Sequence, residues 1–278
     1  MNYIDIVAQI KKKNSFLCVG LDTDIEKIPE FLKAEPDAVV NFNKAIVDAT
    51  AEYAISYKIN TAFYESRGVE GWRDMEKTVA YIRSKHENIF LIADAKRGDI
   101  GNTSKMYAKT FFEQMDFDAI TVSPYMGSDS VKPFLEYEDK YVIVLALTSN
   151  EGAEDFQYMK DKKGKPLFLR VVEKAQEWGN VDKLMFVVGA TKANMLVNIR
   201  EAAPENFLLV PGVGAQGGSL KEVAEYGMIH NCGLLINASR SVLYANSGKS
   251  FAEAARMEAQ KLQKEMSIQI NNFMLQKK

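Results

Sequence analysis

The chain has 278 residues, 47% of them hydrophobic and 26% charged, and a formal net charge of −2. That length suits one large α/β domain with a single core. The near-neutral balance, without a basic block, argues against nucleic-acid binding, and no apolar run reaches the length of a membrane span. Met1-Asn2-Tyr3-Ile4-Asp5 does not read as a signal peptide, so a cytoplasmic location is expected.

In chain order, residues 2–13 predict a helix ahead of the first strand, positioned to cover the bottom of the fold. Short apolar runs then alternate with longer helical patterns. The predicted strands are Phe16–Leu21, Ala54–Ile59, Ile89–Asp94, Ala119–Ser123, Tyr141–Leu147, Leu184–Gly189, Phe207–Val210 and Gly233–Asn237. Helices are predicted over Ala38–Glu52, Trp72–Lys85, Ser104–Gln114, Leu167–Trp178, Ala193–Ala202, Leu220–Glu225 and Phe251–Ile268. Eight βα alternations in one domain predict a closed (β/α)8 TIM barrel. An open doubly wound sheet is the alternative, but the first turn, Gly20-Leu21-Asp22-Thr23-Asp24, lacks the glycine fingerprint of such folds. The polar stretch Asn150–Pro166 follows the fifth strand on the catalytic side and reads either as a mobile lid or as a tolerated surface insertion.

Cys18 and Cys232 lie in apolar, strand-like runs and are expected to be buried free thiols. His86 and His230 are isolated from one another, which argues against a multi-histidine metal centre and a Ser-His-Asp triad. Chemistry therefore falls mainly to lysines, carboxylates and hydrogen-bond donors.

The densest cluster of such groups is Asp94-Ala95-Lys96-Arg97-Gly98-Asp99 at the end of the third strand. Strand alternation points Asp94 and Lys96 to one side, with Asp99 following from the loop. One Asp-x-Lys pair is commonly a solvated ion pair of little consequence. Here the preceding residues, Ile89 to Ala93, are apolar on both faces, as in a parallel strand covered on both sides. The C-terminal ends of such strands carry the active sites of barrels. Asp22 ends the first strand, and Lys58 stands inside the apolar second strand, where an unpaired lysine would be costly. Two lysines and three carboxylates can alternate in charge, each offsetting the desolvation of its neighbours. At the far end of the chain, the glycine-rich Pro211–Gly218 follows the seventh strand and Asn237-Ala238-Ser239-Arg240-Ser241 follows the eighth. Those loops are the recurrent phosphate site of this fold, and Arg240 offers a bidentate fork.

Asp94-Ala95-Lys96-Arg97-Gly98-Asp99-Ile100-Gly101-Asn102-Thr103 resembles the Asp-x-Lys-x-x-Asp signature of the orotidine 5′-phosphate decarboxylases. The resemblance extends to Leu17–Asp22, Lys58, Leu147-Thr148-Ser149, Gly189-Ala190-Thr191, Pro211–Gly218 and Asn237–Arg240, from the first strand to the last. The insertion after strand five and the long C-terminal segment resemble the larger bacterial subclass, and no fused phosphoribosyltransferase domain is expected.

The resemblance implies metal-free decarboxylation of orotidine 5′-phosphate to uridine 5′-phosphate in pyrimidine biosynthesis. It implies Lys96 as the acid that protonates C6, with Asp94 beside the substrate carboxylate. Lys58 would hold Asp94 and contact the ribose, and Asp22 would bind ribose hydroxyls. Asp99, Ile100 and Thr103 would reach the site of a second subunit, making a homodimer with shared sites. Ser149, or Thr148 beside it, would bond the pyrimidine, and Gln216 and Arg240 would grip the phosphate. The sugar-phosphate enzymes of the same superfamily share Asp-x-Lys-x-x-Asp but use magnesium, which calls for an acidic ligand where this chain has Lys58. A Schiff-base aldolase would need Lys96 neutral, which flanking carboxylates oppose. A catalytically silent nucleotide-binding barrel would have no need of this charge arrangement.

Overall fold

The computed structural model describes residues 1–213 and 217–276. Among these residues, eight strands close into one barrel: β1 (Leu17–Gly20), β2 (Ala54–Asn60), β3 (Phe90–Arg97), β4 (Ala119–Val122), β5 (Tyr141–Leu147), β6 (Leu184–Val188), β7 (Leu208–Pro211) and β8 (Leu234–Ala238). Each strand runs parallel to the next, and β8 returns to β1 through the pairs Leu17↔Ile236 and Cys18↔Asn237. The strands are nearly uniformly apolar because both faces are covered, one by the barrel interior and the other by helices. The fold is thus the (β/α)8 barrel expected from the sequence.

The principal helices are α1 (Tyr3–Lys13), α2 (Glu30–Lys33), α3 (Ala38–Thr50), α4 (Ala62–Glu65), α5 (Gly68–Lys85), α6 (Gly101–Lys109) and α7 (Ser128–Leu135). They continue with α8 (Ala153–Phe156), α9 (Leu167–Gln176), α10 (Leu196–Ala202), α11 (Leu220–Gly227), α12 (Arg240–Leu243) and α13 (Phe251–Gln276). Helix α1 begins with a capping box: the Asn2 side chain accepts from the Asp5 amide at 3.0 Å and the Asp5 carboxylate accepts from the Asn2 amide at 2.9 Å. It buries Ile6, Val7 and Ile10, and its Tyr3 ring lies 5.1 Å from that of Phe207, just before β7. Helix α13 packs on α3, with the Phe251 and Phe42 rings stacked 5.1 Å apart. No described helix is long and apolar enough to cross a membrane.

Several local expectations are corrected. The third strand does not stop at Asp94 but continues to Arg97 through a bulge. The helix expected over Ser104–Gln114 starts at Gly101, and its last turn, Thr110–Gln114, is a π-helix. The helix expected over Ala193–Ala202 opens as a 3-10 segment, Ala190–Met195, with a kink at Lys192. Helix α7 is absent from the sequence reading, since Pro133 in its last turn masked the pattern. Cys232 is buried and free, like Cys18, but it precedes β8 in a tight turn at φ +70°.

Candidate active site

The C-terminal ends of the strands open onto a cavity of about 530 Å³ lined by residues from β2, β3, β5, β6, β7 and β8 and by the segments that follow β1, β2, β7 and β8. Asp22, Lys58, Asp94 and Lys96 lie along one wall. Pro211, Gly212, Val213 and the segment Asn237–Ser241, with Arg240 among them, line the same cavity.

The charged wall is a chain of alternating ions. Lys58 Nζ donates to Asp22 Oδ1 at 3.3 Å and to Asp94 Oδ2 at 2.9 Å. Lys96 Nζ donates to the other Asp94 oxygen, Oδ1, at 2.6 Å. The reach of Lys58 follows from strand register. It pairs with Ile92, two residues below the Asn60↔Asp94 pair, so its aliphatic stem carries the ammonium upward to the carboxylates. Only 4% of Lys58 is exposed, whereas half of the Lys96 side chain faces the cavity and solvent.

Burial by itself would disfavour charge on both inner members, and the partners outweigh it. Desolvation acts to lower the Lys58 pKa, but Asp22 and Asp94 raise it above the ordinary lysine range. Desolvation acts to raise the Asp94 pKa, but Lys58 and Lys96 hold it well below the ordinary carboxylate range. Both groups therefore stay ionised near neutral pH.

Lys96 has φ +46°, a left-handed conformation unusual for a residue with a side chain. The β3–β4 register explains it. Ala93 pairs with Ile120 and Arg97 with Val122, so four steps along β3 oppose two along β4. This bulge turns the Lys96 side chain toward Asp94. Downstream, Arg97 donates to the Ala95 carbonyl at 2.8 Å, pairs with Glu65, and lies over the rings of Tyr107 and Phe111 at 5.2 and 5.5 Å.

Four of the five charged residues singled out in the sequence thus meet in one cavity. Asp99 does not join them: it lies beyond the bulge, its Oδ1 accepting from the Ile100 amide at 2.8 Å, and it does not line the cavity. Ile100 and Thr103 are exposed and also lie outside the cavity lining. Ser149 stands past the end of β5 against Gly189, where an added methyl would meet its hydroxyl at 2.2 Å. Thr148 is bonded into the 150–166 segment, which folds back so that Gln157 accepts from the Thr148 amide and donates to its hydroxyl, both at 2.8 Å. Arg240 lines the cavity with its side chain accessible. Gln216 lies outside the described residues.

Other residues shaping the site escaped the sequence reading. Asn60 lines the cavity and its amide donates to Asp22 Oδ1 at 3.3 Å. Its position two residues beyond Lys58, on the same face of the strand, was the signal available. The Tyr244 hydroxyl accepts from the Asp24 amide at 2.9 Å and donates to the Asp22 carbonyl at 3.3 Å, a tie across most of the chain that no local pattern announces. Gly20 has a clearer reason: a methyl there would meet the Ser239 hydroxyl at 1.9 Å, so its lack of a side chain lets the turn after β8 close against β1.

Residues 15–255 match the model of the orotidine 5′-phosphate decarboxylase / HUMPS family. An orotidine 5′-phosphate decarboxylase of Bacteroides fragilis is 57% identical over 270 residues, covering 97% of this chain and 98% of that protein. One from Phocaeicola vulgatus is 59% identical over 266 residues, covering 96% and 98%. Among solved structures, the OMP decarboxylase of Leishmania donovani superposes with a TM-score of 0.79 at 36% identity, covering 95% of this chain and 99% of that one. The chain belongs to the orotidine 5′-phosphate decarboxylase / HUMPS family.

Proposed function

We propose that this protein is a carboxy-lyase that converts orotidine 5′-phosphate to uridine 5′-phosphate in pyrimidine biosynthesis. Full-length relatives at 57–59% identity bearing the name orotidine 5′-phosphate decarboxylase support the reading. The observation that carries it to chemistry is the relay Asp22–Lys58–Asp94–Lys96 at the mouth of the barrel, in one cavity with Arg240.

Breaking the C6–carboxylate bond leaves an electron pair on a vinyl carbon with no adjacent electron sink. In the proposed mechanism the Lys96 ammonium stabilises that developing charge and then gives its proton to C6, recovering one from solvent. Asp94, held from both sides by lysines, faces the departing carboxylate and keeps Lys96 aimed. Lys58 locks Asp94 and, with Asp22, meets the ribose. Arg240 binds the phosphate, Gln216 joins it, and Ser149 bonds the pyrimidine, with the 150–166 segment as cover. Lys58 stands where a magnesium-dependent sugar-phosphate enzyme needs an acidic ligand, and its buried ammonium would repel the ion.

Asp99, Ile100 and Thr103 are assigned to the neighbouring site of a homodimer. Their position outside this chain's cavity and the exposed apolar surface of Ile100, Met106, Tyr125 and Met126 support that arrangement. A cytoplasmic location fits a soluble biosynthetic enzyme of this kind.

The experiment is the ultraviolet absorbance change of orotidine 5′-phosphate with purified protein, with and without EDTA. Conversion to uridine 5′-phosphate is expected, indifferent to EDTA, and at least about 10³-fold slower in Lys96→Ala. Absence of conversion by folded protein overturns the substrate assignment, and EDTA-sensitive conversion overturns the metal-free mechanism.

A further inference from the structure

The bulge in β3 creates a hydrogen-bonding problem at the most important residue of the site. With four steps of β3 opposing two of β4, the regular ladder is interrupted between Ala93 and Arg97. The Lys96 amide falls in that gap, and a buried amide without a partner is costly. Its partner is a side chain from the neighbouring strand: the Lys96 amide donates to Thr121 Oγ1 at 2.9 Å.

The Thr121 hydroxyl then donates its own proton to Asp94 Oδ1 at 3.0 Å. The same carboxylate oxygen accepts from Lys96 Nζ at 2.6 Å. Thr121, itself fully buried, therefore closes a ring: backbone of Lys96, hydroxyl of Thr121, carboxylate of Asp94, ammonium of Lys96. A hydroxyl can serve both ends because it donates once and accepts as well. Because an ionised carboxylate only accepts, the direction of the chain is set, and the hydroxyl proton must point at Asp94.

From this ring we infer that Thr121 is a positioning residue for the decarboxylation, acting through Lys96 and Asp94 rather than on the substrate. It does not line the cavity. Its hydroxyl holds the left-handed backbone of Lys96 to Asp94, so the ammonium and the carboxylate move as one unit. Misplacement of a catalytic group by a fraction of an ångström is enough to slow the chemical step while leaving affinity intact. The inference rests on the proposed decarboxylase activity.

The test is a kinetic comparison of wild type, Thr121→Val and Thr121→Ser with orotidine 5′-phosphate, together with Thr121→Val in a Lys96→Ala background. Valine keeps the shape and removes the hydroxyl; serine keeps the hydroxyl. We expect kcat of Thr121→Val to fall by about 10- to 100-fold with KM changed less than about threefold. Serine should recover most of the loss, and valine should cost nothing further once Lys96 is alanine. Should valine prevent folding, Thr121→Ala against Thr121→Ser makes the same comparison. An unchanged kcat without the hydroxyl, failure of serine to rescue, or an equal loss in the Lys96→Ala background overturns the proposal. An inactive wild type would instead overturn the decarboxylase reading itself.

Discussion

Asp94 holds the relay together because both of its oxygens are committed, Oδ2 to Lys58 and Oδ1 to Lys96 and Thr121. Its carboxyl is 11% exposed, so the partners act across little water and its pKa lies well below the ordinary value of 3.8. A depressed carboxyl pKa contributes stability that is present above 3.8 and is lost as pH falls through the folded-state value. Asp94→Asn lacks that contribution and leaves Lys58 with Asp22 alone. The variant is therefore expected to be less stable than wild type at pH 6, with the gap narrowing steadily as pH falls below 3.8. Urea midpoints at pH 6, 4 and 3 measure it, and a gap independent of pH would count against the ion relay as the cause.

At the scale of elements, the site depends on close contacts between segments that carry no charge. Helix α5 crosses α4 at Gly71, where a methyl would come within 1.8 Å of the Tyr64 carbonyl. The obstacle is backbone, so the helices must move apart. Tyr64 also links this junction to the cavity, since its hydroxyl donates to the Leu21 carbonyl at 2.9 Å and accepts from Asn43 at 2.9 Å. Thr23 completes that buried network by donating to Asn43 at 2.6 Å, one residue after Asp22. Gly71→Ala is expected to lose about 1–3 kcal/mol of stability. Chemical denaturation reads the loss, and a stability equal to wild type would mean that the α4–α5 junction yields without strain.

At the scale of the whole molecule, the barrel brings together residues from the first strand to the last, yet its cavity lacks Asp99. The proposed dimer makes a direct prediction. Mixing Lys96→Ala chains with Asp99→Ala chains should restore activity, because one site in each mixed dimer draws an intact Lys96 and an intact Asp99 from different subunits. At equal concentrations, about a quarter of the wild-type activity is expected from the statistics of random exchange between symmetric dimers. No recovery after demonstrated subunit exchange would remove Asp99 from the neighbouring site.

The barrel, its strand order and the cluster of Asp22, Lys58, Asp94 and Lys96 were legible in the sequence because each has a local cause. Apolar runs covered on both faces, helical periodicity and charged residues at strand ends are all written within a few neighbouring positions. Local pattern thus accounts for the eight strands and for four of the five charged residues that were singled out, Asp99 being the exception. The left-handed turn at Lys96, the partnership of Thr121 and the tie from Tyr244 to Asp22 and Asp24 were decided only by tertiary structure. Thr121 reads locally as an ordinary β-branched strand residue, and it acquires a role only because the register of β3 against β4 slips beside it. Register is a property of two strands at once, set by packing between segments distant in the chain, and no single segment contains it.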